Sequence, residues 1–175
     1  MKKFKKKTFR ITSGFLVLNE TKVSDLKQLW RIHNQPCVNK FLLFPLTSFN
    51  HFKRRFLSRS KFRDVKRITA FLDGKVVGII TLRPFLGRAS HVANFSIYLD
   101  ECYWGMGIGR ILMRELFKYA KDNGLRKIED EVFSDNERAL RFYKKLGFSI
   151  EGVRRKRFFR KGKYYNSILV GKLLT

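Results

Sequence analysis

Between Tyr103 and Arg110 the sequence reads Tyr-Trp-Gly-Met-Gly-Ile-Gly-Arg, three glycines in five residues at the junction of a strand-like and a helix-like run. Glycines there let backbone N–H groups come close to a phosphate, and a helix starting behind them turns its positive end toward it. The chemistry suggested is the cradling of a pyrophosphate. A dinucleotide fingerprint wants a third glycine where Arg110 stands, the phosphate loop of nucleotide hydrolases wants a following Lys-Ser/Thr, and a ligand-free glycine turn is the plain alternative.

A second group of chemically capable residues lies further on. Tyr143 can donate a proton to a leaving thiolate and regain it from solvent, although a tyrosine on an inner helix face is ordinarily core with a satisfied hydroxyl. Glu129, Asp130 and Glu131 supply carboxylates on one strand, with Asp130 at a position expected to be apolar. Any of them could deprotonate an ammonium, directly or through water, and Glu131 is the candidate general base; plain solvation is the alternative. His91 reads as structural, and His33 with Cys37 cannot make a helical metal pair across Pro36, so no metal site is expected.

The elements that must carry these residues follow from periodicity. A strand around Phe15 to Leu18 precedes a helix capped by Thr21, with Val23, Leu26, Leu29, Trp30 and His33 at helical spacing, and Pro36 ends it. Thr47 or Ser48 caps a second amphipathic segment with Phe49, Phe52, Phe56 and Leu57 on one stripe. Asp73-Gly74 between two apolar runs signals a tight hairpin, and His91 to Leu99 alternates as a third strand that runs into the glycine loop. A helix from Ile111 to Ala120 stops at Asn123-Gly124. A strand Lys127 to Phe133 follows, then a helix capped by Ser134-Asp135-Asn136 and closed by Gly147, then two strands joined at Arg160 to Lys163. The expected class is α/β, a mixed, mostly antiparallel sheet flanked by helices in one domain, residues 15–175, after a basic extension, residues 1–14.

Two segments resemble the GNAT superfamily of N-acetyltransferases. The family loop Gln/Arg-x-x-Gly-x-Gly/Ala falls on Trp104, Gly105, Met106, Gly107, Ile108 and Gly109, with Trp104 departing from Gln or Arg as in the branch of ribosomal-protein and spermidine acetyltransferase-like enzymes. The stretch Val132 to Phe148 resembles V-x-x-x-N-x-x-A-x-x-x-Y-x-x-x-G-F, and the likeness spans about residues 15 to 173. The resemblance implies direct attack of a primary amine on acetyl-coenzyme A in a ternary complex. The implied cofactor contacts are Ile97, Tyr98 and Leu99 along the pantetheine arm, Trp104 to Arg110 at the pyrophosphate, and Asn136. It also implies that Tyr143 is the general acid. Relatives commonly place acidic residues where Asn94 and Asn166 stand.

Composition bounds the partners. With 175 residues and 44% apolar content the chain can bury a core unaided, and Cys37 and Cys102 show no disulfide or zinc spacing, as suits a reducing cytoplasm. The start is basic but followed by an interrupted apolar stretch, so neither a signal peptide nor a spanning helix is expected. The charge of +25 is concentrated at the flanks: residues 1–67 hold 18 Lys/Arg against 3 Asp/Glu and residues 152–175 hold 8 against none. Such a field attracts anions and repels polycations. A protein N-terminus or ribosome-associated protein therefore ranks above polyamines as acceptor, with a small amine-bearing molecule also admitted and a homodimer among the expected associations. The rival reading is a coenzyme A-binding module that contacts nucleic acid or the ribosome through its basic flanks.

Overall fold

Asp73 and Gly74 adopt φ of 46° and 80°, the left-handed pair a two-residue hairpin requires, and close β3 (Lys66–Leu72) onto β4 (Lys75–Pro84). The computed structural model describes residues 1–60 and 64–174. These form two compact units, Met1–Arg83 with Ser96–Asn123, and Pro84–Phe95 with Gly124–Thr175. The strand β5 (Val92–Leu99) contributes its first half to the second unit and its second half to the first.

In the first unit the order is β1 (Lys7–Ile11), β2 (Gly14–Glu20), β3, β4, then the end of β5, with β1 to β4 an antiparallel meander. The expected basic extension is therefore only partly outside the sheet. Phe9 pairs with Leu16 in the β1/β2 register, and Phe4 is buried, because alternate apolar side chains among the lysines find a core face. Helices α1 (Leu26–His33), the short α2 (Pro36–Asn39) and α3 (Phe49–Ser60) follow β2, and α4 (Ile108–Asp122) follows β5. Leu26, Leu29 and Ile32 of α1 pack with Phe52 of α3 and with Val76 and Ile79 of β4. Thr21 does not cap α1. It accepts from the Thr69 hydroxyl at 2.9 Å, and a 3-10 turn at Val23–Asp25 starts the helix, its Asp25 carboxylate accepting from the Lys22 N–H at 2.8 Å.

In the second unit β5 pairs in parallel with β6 (Lys127–Phe133), β6 pairs antiparallel with β8 (Lys163–Leu173), and β8 with β7 (Ser149–Arg160). Helix α5 (Glu137–Lys145) joins β6 to β7. Its Tyr143 ring meets Phe95 and Phe148, with Phe95 fully buried. The fold is thus the expected α/β arrangement with a mostly antiparallel sheet. Among the described residues no helix is long and apolar enough to cross a membrane.

Candidate active site

The glycine loop leaves β5 through a 3-10 turn at Glu101–Tyr103 that Asp100 caps, its carboxylate accepting from the Cys102 N–H at 3.0 Å. Gly105 and Gly107 take φ of 86° and 80°, and a Cβ at either would meet nothing within 4 Å, so these glycines serve backbone conformation and leave open space above it. Gly107 is the N-cap of α4, a 15-residue helix. The first intrahelical bond runs from the Ile111 N–H to the Gly107 carbonyl, which leaves Ile108, Gly109 and Arg110 with no intrahelical acceptor. Three N–H groups at the positive end of a helix, beside two left-handed glycines, fit a pyrophosphate.

Trp104 opens the loop, and its indole turns back onto it. Nε1 donates to the Leu99 carbonyl at 3.0 Å and ties the end of β5 to the glycine turn. Met106 is 42% exposed and its sulfur accepts from the Ser13 hydroxyl at 3.7 Å, a contact from the β1/β2 turn that sequence reasoning did not foresee. Ile97, Tyr98 and Leu99 are half-buried on β5. Tyr98 packs edge-on against His33, centroids 6.0 Å apart, and burial pushes its phenol well above the ordinary value.

The second unit holds the other expected residues. Tyr143 is 5% exposed, edge-on to Phe95 at 5.4 Å and tilted on Phe148 at 5.3 Å. Its hydroxyl donates to Asp130 Oδ2 at 3.2 Å. Burial first, then the charge and hydrogen bond of Asp130, hold this phenol well above its usual pKa near 10. Asn136 caps α5, its Oδ1 accepting from the Ala139 N–H at 3.2 Å, so the side-chain oxygen is used by the fold.

Glu131 lies on the opposite face of β6 from Asp130. Its carboxylate accepts from the Ser167 hydroxyl at 2.5 Å, from Arg157 Nε at 3.2 Å and from Arg154 Nη1 at 3.3 Å. The same carboxylate thereby helps to hold β7 and β8 beside β6. The two amides at commonly acidic positions are structural as well: Asn94 Nδ2 donates to the Glu129 carbonyl at 3.3 Å, and Asn166 Oδ1 accepts from the Lys156 N–H at 2.9 Å, where β7 bulges with Lys156 at φ 52°. Among the described residues no three His, Cys, Asp or Glu side chains gather as a metal site.

Residues 26–148 match the family model described as the acetyltransferase (GNAT) family. The chain belongs to that family. It is 35% identical over 165 residues to the L-amino acid N-acetyltransferase AaaT of Escherichia coli K12, covering 90% of this chain and 98% of that relative. It is 33% identical over 108 residues to the spermidine N(1)-acetyltransferase of the same strain, covering 59% and 55%. In fold it resembles the spermidine N-acetyltransferase of Vibrio cholerae solved in complex with CoA and spermine, with a TM-score of 0.82 at 21% identity, covering 91% of this chain and 95% of that one. The GNAT family is the one expected from the loop and from Val132 to Phe148, and the protein is a GNAT-family acetyltransferase.

Proposed function

We propose that this acetyltransferase is acetyl-CoA-dependent and moves the acetyl group onto the α-amine of an amino acid-like acceptor, by direct attack within a ternary complex. The observation that carries this choice is the likeness to the L-amino acid enzyme along 98% of that enzyme's length, against 55% for the spermidine enzyme. The charge of +25 supports it, since the field draws in a carboxylate-bearing amine and repels a polyamine. A peptide N-terminus presents the same α-amine and is the neighbouring choice.

Acetyl-CoA is here a substrate, not a resident group. The N–H groups of Ile108, Gly109 and Arg110, with the backbone of Trp104 to Gly107, would hold its pyrophosphate. The backbone of Ile97, Tyr98 and Leu99 would line the pantetheine arm as an added strand does, with one N–H polarising the thioester carbonyl. Asn136 would contact the pantetheine region through its amide nitrogen, its oxygen being engaged in the cap. Tyr143 would protonate the departing thiolate.

The test is coenzyme A release against a panel of L-amino acids, short peptides and spermidine, with Tyr143→Phe beside the wild type. L-Amino acids should be turned over, and the phenol's loss should lower kcat by about 10²-fold or more. Acetyl-CoA at 100 times its Kd should raise stability by about 2.7 kcal/mol, readable as a rise in Tm. Spermidine as best acceptor, or no thermal shift, refutes the reading.

One observation favours a second reading, in which the protein also contacts nucleic acid or the ribosome. The β7/β8 hairpin carries Arg155, Lys161 and Lys163 in solvent, with Phe159 and Tyr164 both 65% exposed and their rings 5.0 Å apart. Cations beside exposed rings suit phosphate contact and base stacking. RNA affinity falling steeply with salt supports this reading, and RNA affinity that is absent at low salt removes it.

A further inference from the structure

Asp130 occupies a position where the strand pattern calls for an apolar side chain. On β6 it shares a face with Ile128, fully buried, and Val132, 5% exposed. A carboxylate on such a face costs free energy unless it is bonded. Here it is held at both oxygens: Oδ1 accepts from the Glu131 N–H at 2.9 Å and Oδ2 from the Tyr143 hydroxyl at 3.2 Å. A valine would serve the packing of this face, so the carboxylate calls for a role tied to the phenol it touches.

We propose that Asp130 is a positioning residue that aligns the Tyr143 hydroxyl and restores the proton Tyr143 gives up during acetyl transfer. This deepens the proposed function and rests on it. A phenol raised as far as that of Tyr143 cannot remain a buried tyrosinate beside a carboxylate after protonating a thiolate, because burial and charge both oppose that anion. Proton return must accompany proton release, and the hydrogen-bonded group able to return one is Asp130. The ammonium form of the acceptor loses a proton, which the half-buried Asp130 carboxylate takes up through water. The amine nitrogen then bonds to the acetyl carbon and the carbon–sulfur bond breaks. Sulfur takes the phenolic proton, the phenolic oxygen takes the proton from Asp130, and the acylated nitrogen loses its second proton to water. An ammonium and a thioester become an amide, a thiol and one proton, with no redox change.

Four variants in the full chain test this: Asp130→Asn, Asp130→Val, Tyr143→Phe and the double Asp130→Val/Tyr143→Phe, each with kcat, KM for acetyl-CoA and Tm. Asp130→Asn keeps a hydrogen-bond acceptor for the phenol but can neither take up nor give back a proton. Both Asp130 variants should lose about 10- to 100-fold in kcat with KM for acetyl-CoA nearly unchanged. Asp130→Val leaves the buried phenol unpaired and should melt below the wild type, while the double variant, which removes both partners, should recover part of that loss, so kcat measured well below every Tm separates lost chemistry from lost folding. The double variant should be no slower than Tyr143→Phe alone, as for residues acting as a unit. A normal kcat in Asp130→Asn alongside a slow Asp130→Val would mean orientation without proton return, and overturns the inference. So do multiplying losses in the double variant. A wild type that acetylates no amine overturns the proposed function together with this inference, whereas an active wild type with unaffected Asp130 variants overturns the inference alone.

Discussion

Gly78 offers a test in which the sign of a stability change is set by one backbone contact. It lies on β4 facing the end of β5, and a Cβ there would come within 2.3 Å of Leu99 Cδ2 and 2.6 Å of the Tyr98 carbonyl oxygen. The leucine methyl can rotate away, but the carbonyl belongs to the strand that Asp100 fastens to β4 through its N–H to the Val77 carbonyl at 2.9 Å. Moving that oxygen from 2.6 Å to the 3.0 Å that real contacts respect displaces β5 by roughly 0.4 Å. Overpacking of this kind costs about 1–3 kcal/mol, offset by about 0.4–1 kcal/mol from the stiffer unfolded chain. The net loss for Gly78→Ala is therefore about 0–2.6 kcal/mol, centred near 1.3, a fall in Tm of up to about 10 °C for a domain this size. Gly152 on β7 supplies the control, since its Cβ would meet Leu169 Cδ1 at an ordinary 3.7 Å. Gly152→Ala should raise Tm by about 1–4 °C through the unfolded-chain effect alone. Differential scanning calorimetry of the two variants decides the matter, and steady-state kinetics should add a several-fold rise in KM for acetyl-CoA for Gly78→Ala only, because the displaced residues are those proposed to line pantetheine. If Gly78→Ala melts at or above the wild type, the backbone contact does not limit the site and the reasoning fails.

His33 is 4% exposed and its imidazole is held below the usual 6.5 by burial and by the nearby Arg55 cation, so the unfolded chain takes up this proton first as pH falls. Its contribution is constant above pH 6.5 and turns destabilising below it, with a limiting slope of about 1.4 kcal/mol per pH unit; Tm measured from pH 7 to 5 should fall less in His33→Phe than in the wild type. Gly107→Val places a β-branched residue at φ 80° and should abolish calorimetric binding of coenzyme A while the far-UV circular dichroism of the chain is kept; undiminished binding would remove the helix start from the site. Asn136→Ala removes the α5 cap and should lower stability by about 1 kcal/mol, checked by urea titration.

The parts of this protein legible in its sequence are those governed by local rules. The Asp73-Gly74 hairpin, the alternation of Val92 to Leu99, the glycines before α4 and the Asn136 cap each follow from a few neighbouring residues. What escaped depends on partners distant in the chain. Strand β1 is hidden among lysines because only pairing with β2 shows which of its residues face inward. The Trp104 indole could not be placed until Leu99 offered it a carbonyl, and the partners of Glu131, Arg154, Arg157 and Ser167, come to it only through the pairing of β7 and β8. Asp130 was visible as an anomaly, a carboxylate out of phase with its strand, but Tyr143 had to be folded above it before the anomaly acquired a partner.

The glycine turn before α4 is proposed to grip through main-chain dihedrals, while the Trp104 indole beside it braces the turn against Leu99. Alanine substitution of Met106 or Arg110 would therefore under-report its importance, since truncating a side chain leaves every N–H in place. Drift in residue identity at the exposed Met106 and Arg110 is cheap so long as the turn keeps its shape, whereas Ile108 is 1% exposed and held to an apolar side chain by the core.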